Sequence, residues 1–143
     1  MCLASFPSEE ISIHNILAHI KKQVQIKKRV AIKELLSGAI DDAALLNSKQ
    51  RTDSHNDANR YIEECNAWIA RTSHLIEDAF GKGEAGVFLN DAGVTIFDSG
   101  PEHPNVHTRG EMIARIQRLN ELKGRVDVLT MQPGFEPESY HPE

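Results

Sequence analysis

The sequence predicts a mainly α-helical protein, an antiparallel bundle of three helices with a long first helix and a small β-hairpin insertion. Apolar residues recur every three or four positions in three separate stretches, which is the period of an amphipathic helix. Polar or glycine-rich segments separate those stretches and are typical of loops. If the first helix breaks at Ser37-Gly38, the same pattern gives a bundle of four helices.

The first helix is expected to begin after Ser8, a favourable N-cap residue, and to continue to about Leu46. Its apolar stripe begins with Ile13, Ile16, Leu17, Ile20 and Val24. This stripe is longer than two shorter partner helices can cover. Surplus apolar surface on a long helix is commonly buried against a second copy of the protein. We therefore expect a homo-oligomer, a dimer or a larger assembly.

The clearest helical stretch is Ala58 to Gly81, which holds the only tryptophan. Its apolar positions are Tyr61, Ile62, Cys65, Trp68, Ile69, Leu75, Ile76, Ala79 and Phe80. Gly81 ends the stretch as a glycine able to adopt positive φ. We interpret Cys65 as a core side chain and not as a nucleophile, because His74 lies about 13 Å further along the helix.

A β-hairpin is expected at about residues 85–98. Residues 87–89 and 94–97 are rich in β-forming side chains, and the Asn-Asp-Ala-Gly segment between them suits a tight turn. A third helix should start at Thr108, which has the capping-box spacing to Glu111. We therefore assign residues 1–131 to a single helical domain and predict that the proline-rich residues 132–143 are a disordered tail.

Composition excludes several classes of protein. With 40% hydrophobic and 26% charged residues in a chain of 143, the protein resembles an ordinary soluble domain. No apolar run approaches the roughly 18 residues of a membrane span, and the N-terminus does not resemble a secretory signal. The cysteines, Cys2 and Cys65, do not form a disulfide framework. We expect a cytoplasmic protein that does not bind membranes.

Charge is unevenly distributed along the chain. Residues 1–33 carry six basic and two acidic side chains, a net charge of +4, whereas the remainder carries ten basic and nineteen acidic side chains, a net charge of −9. This asymmetry suggests a site for a polyanion, or self-association through opposite charges. Nucleic acid fits less well, because the net charge of the whole chain is −5.

The basic residues define a candidate site for a small phosphorylated molecule such as a nucleotide. Its candidate residues are Lys21, Lys22, Lys27, Lys28, Arg29 and Lys33 of the first helix, with Arg115 and Arg118 of the third. Arginine supplies forked donors that match phosphate oxygens. The alternative is a solvated helix face that only aids solubility.

No catalytic residue is assigned, because the sequence contains no nucleophile elbow, phosphate loop or dinucleotide-binding glycine motif. The weak metal candidates are His103 and His107, whereas a zinc site requires three or four ligands. We expect no cofactor and no enzymatic activity, and keep a metal-dependent hydrolase around this histidine pair as an alternative.

Residues 58–129 resemble a known kind of module. Trp68, Phe80-Gly81 and Phe88, followed by the helix RGEMIARIQRLNELKGRV, are similar to features of helical accessory modules in bacterial anti-phage effector proteins, including TIR-like, nucleotide-related systems. The resemblance implies a regulator, a partner subunit or a phage-borne decoy in phage–host conflict, and it implies no catalytic residue.

Together these observations predict a non-enzymatic, oligomeric helical protein that acts by associating with itself or with another protein. The alternative function is binding or sequestering a small phosphorylated signal.

Overall fold

The computed structural model describes residues 8–48, 55–90 and 106–141, and within these ranges the chain is mainly helical, as predicted. The helices are α1 (Ser8–Asn47), α2 (His55–Phe80), α3 (Lys82–Leu89) and α4 (Val106–Arg125), followed by a short 3₁₀ turn at Pro137–Ser139. No described residue is in a β-strand. None of the described helices combines the length and the apolarity that crossing a membrane requires.

The first helix is a single element of 40 residues, about 60 Å long at 1.5 Å per residue. Neither glycine nor proline occurs between Ser8 and Ser37, so nothing in the backbone interrupts its hydrogen bonds. The helix also continues through Ser37 and Gly38 without a break. The described part of the chain therefore has four helices because of the short helix α3, and not because α1 breaks into two.

Two side-chain hydrogen bonds give the relative direction of α1 and α2. Tyr61 Oη donates to Asn47 Oδ1 at 2.6 Å, and Trp68 Nε1 donates to the Ala39 carbonyl at 2.9 Å. Later residues of α2 thus contact earlier residues of α1. The two helices run antiparallel.

The last helix also runs antiparallel to α1. Near its start Arg109 donates to the Asn47 carbonyl at 2.9 Å, and just after its end the Val126 carbonyl accepts a hydrogen bond from Arg29. It follows that α2 and α4 point in the same direction. In a bundle whose helices simply alternate up and down, the third long helix would instead be parallel to the first.

The buried core forms around the second half of α1. Its contacting side chains are Ile32, Leu36 and Ala43 of α1, Tyr61, Cys65, Trp68, Leu75, Ile76, Ala79 and Phe80 of α2, Ala85 and Phe88 of α3, and Met112, Leu119, Leu122 and Val126 from α4 and its end. Cys65 is fully buried in this core, as predicted. Gly81 has φ 98°, which confirms its predicted role at the end of α2.

The predicted β-hairpin is wrong at residues 85–89, which lie in α3. Ala85 and Phe88, three positions apart, are both buried, and the Phe88 ring packs edge-on to Trp68 with centroids 5.8 Å apart. Helical spacing buries both side chains against α2, and this packing outweighs the β propensity of Val87-Phe88-Leu89. Residues 91–98 of the expected hairpin lie outside the described residues.

Residues 132–141, which we expected to be disordered, pack against the helices. The backbone N–H of Gln132 donates to the Ala79 carbonyl at 2.7 Å, and Phe135 is buried in the core. Tyr140 lies next to Phe135, with ring centroids 5.7 Å apart. Two aromatic side chains anchor a segment whose prolines prevent a regular helix.

Candidate functional site

The most unusual surface of the molecule is the first half of α1. Residues 12–27, which we call the arm, are all exposed, whereas α1 enters the bundle from Lys28 onwards. The arm carries six large apolar side chains that are 44–59% exposed, namely Ile13, Ile16, Leu17, Ile20, Val24 and Ile26. Clustered apolar side chains that no described residue of the chain covers mark an interaction surface more often than a solvated one.

Four of the apolar residues of the arm follow a heptad spacing. Ile13, Leu17, Ile20 and Val24 are separated by four, three and four residues, which places them along one line of the helix surface. We call this line the seam. The next seam positions are Lys27 and Ala31, so the apolar seam ends where α1 reaches the bundle.

Three of the predicted phosphate-binding residues, Lys21, Lys22 and Lys27, are exposed on the arm. Lys28 and Lys33 instead form ion pairs at the edge of the bundle. The Lys28 ammonium is 3.6 Å from Glu136, and the Lys33 ammonium is 2.8 Å from Asp127. Surface ion pairs of this kind contribute at most about 1 kcal/mol, but they direct both lysines towards the body of the protein.

Arg29 serves as a structural cap at the point where α1 enters the bundle. Its guanidinium donates to the Val126 carbonyl and, at 2.9 Å, to the Leu129 carbonyl. These carbonyls belong to the turn that follows α4 (Val106–Arg125). Carbonyls at and beyond the end of a helix have no hydrogen-bond partner within it.

Arg115 and Arg118 cap another helix, α3. Arg115 is 4% exposed, donates to the Leu89 carbonyl at 3.0 Å and lies 3.8 Å from Glu111. Arg118 donates to the Phe88 carbonyl at 3.1 Å and to the Asn90 carbonyl. A cation at the negative end of a helix is favourable.

The structure does not bring the eight predicted phosphate-binding residues together. Arg115 and Val126, the partner of Arg29, are eleven positions apart on and just beyond α4, about 16 Å at helical rise. Arg29 and Arg115 both donate hydrogen bonds to main-chain carbonyls. These roles could not be predicted from the sequence, because the accepting residues are 26 to 100 positions away.

The histidine pair is only partly described. His103 lies outside the described residues, and His107 Nε2 is 2.7 Å from Glu111 Oε1 one helical turn away. No group of three or more metal-ligating side chains occurs within the described residues.

A cleft of about 520 Å³ opens between α1, α2 and the final segment. Its apolar lining is Leu35, Gly38, Ala39, Trp68, Leu75 and Tyr140. A Cβ atom at Gly38 would meet nothing within 4 Å, which shows how open this side of α1 is. From the sequence, Gly38 was interpreted only as a point where α1 could break, and the cleft was not predicted because its lining residues are far apart in the chain.

The rim of this cleft is acidic. Glu34, Asp42 and Glu138 line it together with a single basic residue, Arg71. Burial raises the pKa of Tyr140, and the charge of nearby Asp78 raises it further. An apolar floor with three carboxylates suits a cationic or amphipathic group and does not suit a phosphate.

Comparisons with protein-family models, with curated proteins and with solved structures give no match to this chain.

Proposed function

We propose that this protein is non-enzymatic and acts by self-association, with the arm of α1 as its principal binding surface. The observation that carries the proposal is the set of six apolar side chains on the arm, 44–59% exposed, none of which belongs to the buried core. Burying these side chains removes apolar surface from water on both partners, and each Å² buried stabilises the association by about 25 cal/mol. A bundle in which α2 and α4 both run antiparallel to α1, with a protruding arm, is the architecture that we propose for each subunit, and the cytoplasm is its proposed location.

A single charge on the seam tests this proposal. In Ile20→Glu the carboxylate would have to be desolvated in the interface, which costs several kcal/mol unless it is paired. Because Ile20 is exposed in the subunit, the fold should remain intact while the oligomer dissociates. Circular dichroism would verify the fold, and size-exclusion chromatography with light scattering would measure the mass.

Ile113→Glu is the matched control. Ile113 is 53% exposed on α4 and Ile20 is 51% exposed on the arm, so both substitutions place the same charge at equally accessible isoleucines. The proposal expects only Ile20→Glu to reduce the mass. Dissociation by Ile113→Glu alone would move the interface to α4 and refute the role of the arm.

The second proposed function, binding a small phosphorylated molecule, now rests on fewer residues. Five of the eight predicted cations hold carbonyls or carboxylates of the same chain. The proposal therefore concerns Lys21, Lys22 and Lys27, each of which is exposed on the arm.

A thermal-shift screen against nucleotides, cyclic nucleotides and ADP-ribose-type molecules tests that second function. Ligand at 100 times its dissociation constant should stabilise the protein by about 2.7 kcal/mol, and replacing the three arm lysines with alanine should abolish the shift. An unchanged shift in that variant would exclude the lysines. The resemblance to accessory modules of anti-phage effectors suggests phage–host conflict as the setting for either function.

A further inference from the structure

We propose that the arms of two copies pair in antiparallel orientation, with Leu17 of each copy facing Ile20 of the other. This inference rests on the proposed function and names the partner of the arm as a second copy of this chain.

The seam provides a complete set of apolar layers in this orientation. When Leu17 faces Ile20 of the other copy, Ile13 faces Val24, and the two-fold symmetry repeats both contacts. In heptad notation Leu17 and Val24 are a positions, and Ile13 and Ile20 are d positions. An a position therefore meets a d position in every layer, which is the packing of antiparallel coiled coils. All four layers are apolar on both sides.

The charges oppose the parallel alternative. A parallel pair places every residue beside its own copy, so Lys27, the next seam position, would face Lys27 of the other copy, with Lys21 of both copies on the same part of the arm. Like charges held this close are destabilising. The antiparallel pair separates the two basic clusters to opposite ends. There each cluster lies level with the start of the other α1, where the sequence is acidic at Glu9 and Glu10.

The length of the arm fits the same register. The two-fold axis of the pair passes between Ala18 and His19. Ser8, where α1 begins, and Arg29, where it is anchored to the bundle, are each about 16 Å from that axis along the helix. Each α1 would therefore begin level with the point where the other α1 enters its bundle, and the two arms would overlap along their whole length.

The apolar area is sufficient for a specific contact. The five side chains from Ile13 to Val24, which are 44–59% exposed, offer roughly 500 Å² of surface per copy, so their complete burial in a pair would remove at most about 1,000 Å² from water, which reaches the lower bound for a specific interface. The aliphatic stem of Lys21 beside the seam would add to this area.

Disulfide cross-linking tests the orientation directly. In a Cys2→Ser background, whose remaining thiol Cys65 is fully buried, Ile13→Cys and Val24→Cys are prepared separately, and portions are mixed in denaturant and refolded together. A disulfide requires Cα atoms about 4.4–6.8 Å apart. Antiparallel arms satisfy this only between the two different variants, because identical positions are eleven residues, about 16 Å, out of step.

The expected result is a covalent dimer of the mixed sample under oxidising conditions, with the 13–24 linkage verified by peptide mass, and no covalent dimer in either variant alone. Cross-linking of each variant with itself would overturn the antiparallel orientation and leave self-association intact. A dimeric mass with no cross-link in any sample would also overturn this pairing, whereas a monomeric wild type would remove the proposed function and this inference together.

Discussion

Arg29 was predicted from sequence to bind phosphate, and in the structure it holds the chain just beyond α4. Replacing it with methionine preserves most of the aliphatic stem and removes two donated hydrogen bonds, to Val126 and Leu129. Hydrogen bonds that involve a charged group contribute about 1.5–3 kcal/mol each. Because Arg29 is only half-buried, we take the lower end for each bond. Arg29→Met should therefore lower the free energy of unfolding by about 3 kcal/mol.

Lys22→Met is the matched control, since it removes a charge at an exposed position of the same helix that lies away from the seam. Exposed substitutions of this kind change stability by less than about 0.5 kcal/mol. Urea unfolding followed by the fluorescence of Trp68, the sole tryptophan and 1% exposed, measures both variants. All samples need one protein concentration, because self-association would add concentration-dependent stability.

A difference below about 0.5 kcal/mol between the two variants would refute the structural role of Arg29. Arg29 would then return to the group of exposed cations available to a phosphate. The variant thus separates a helix cap from a ligand-binding residue without knowledge of the ligand.

Three further outcomes are expected. Gly81→Ala should cost at least about 1–2 kcal/mol in urea unfolding, because it forces alanine to a φ of 98°; Gly124→Ala, in an open position of α4, should instead stabilise by about 1 kcal/mol. Equal effects of the two would contradict the assigned backbone role. Deleting residues 131–143 should lower stability by about 3 kcal/mol through loss of a buried aromatic residue, and unchanged unfolding would restore the expectation of a disordered tail. The Tyr140 phenol should ionise above its ordinary value of 10.0, because burial and Asp78 raise its pKa. Its protonated form is favoured by folding, so this stabilisation is present below the unfolded pKa and is lost as pH rises through the folded one. An ultraviolet difference titration measures it, and ionisation at the ordinary value would be the contrary result.

The long helices were predictable because their signal is local and repeated. An uninterrupted three-and-four spacing identified α1 and α2, and the glycine that follows Phe80 marked the end of α2 with the correct backbone conformation. Periodic burial on one face constrains many residues at once, and this is why such elements can be identified from one sequence.

The short helix α3 was not predictable in the same way. Its eight residues span about two turns, too few for a period to be distinguished, and Val87-Phe88-Leu89 has the composition of a strand. Contact between Phe88 and Trp68 decides the outcome, and this contact joins positions twenty residues apart.

The candidate site was partly predictable. The surplus apolar stripe of α1 was visible in the sequence, since it requires only the helical period. The roles of the arginines were not, because a guanidinium that holds a distant carbonyl has no local pattern. Arg29 and Leu129, separated by 100 residues, illustrate this.

The central claim is self-association through the arm, and sedimentation equilibrium of the wild-type protein tests it most directly. The subunit mass is 16.0 kDa, and measurements from below one to several hundred micromolar cover the affinities typical of interfaces of this size. The account predicts a mass that rises with concentration to twice that of the subunit. A mass that stays at 16.0 kDa over the whole range would contradict it.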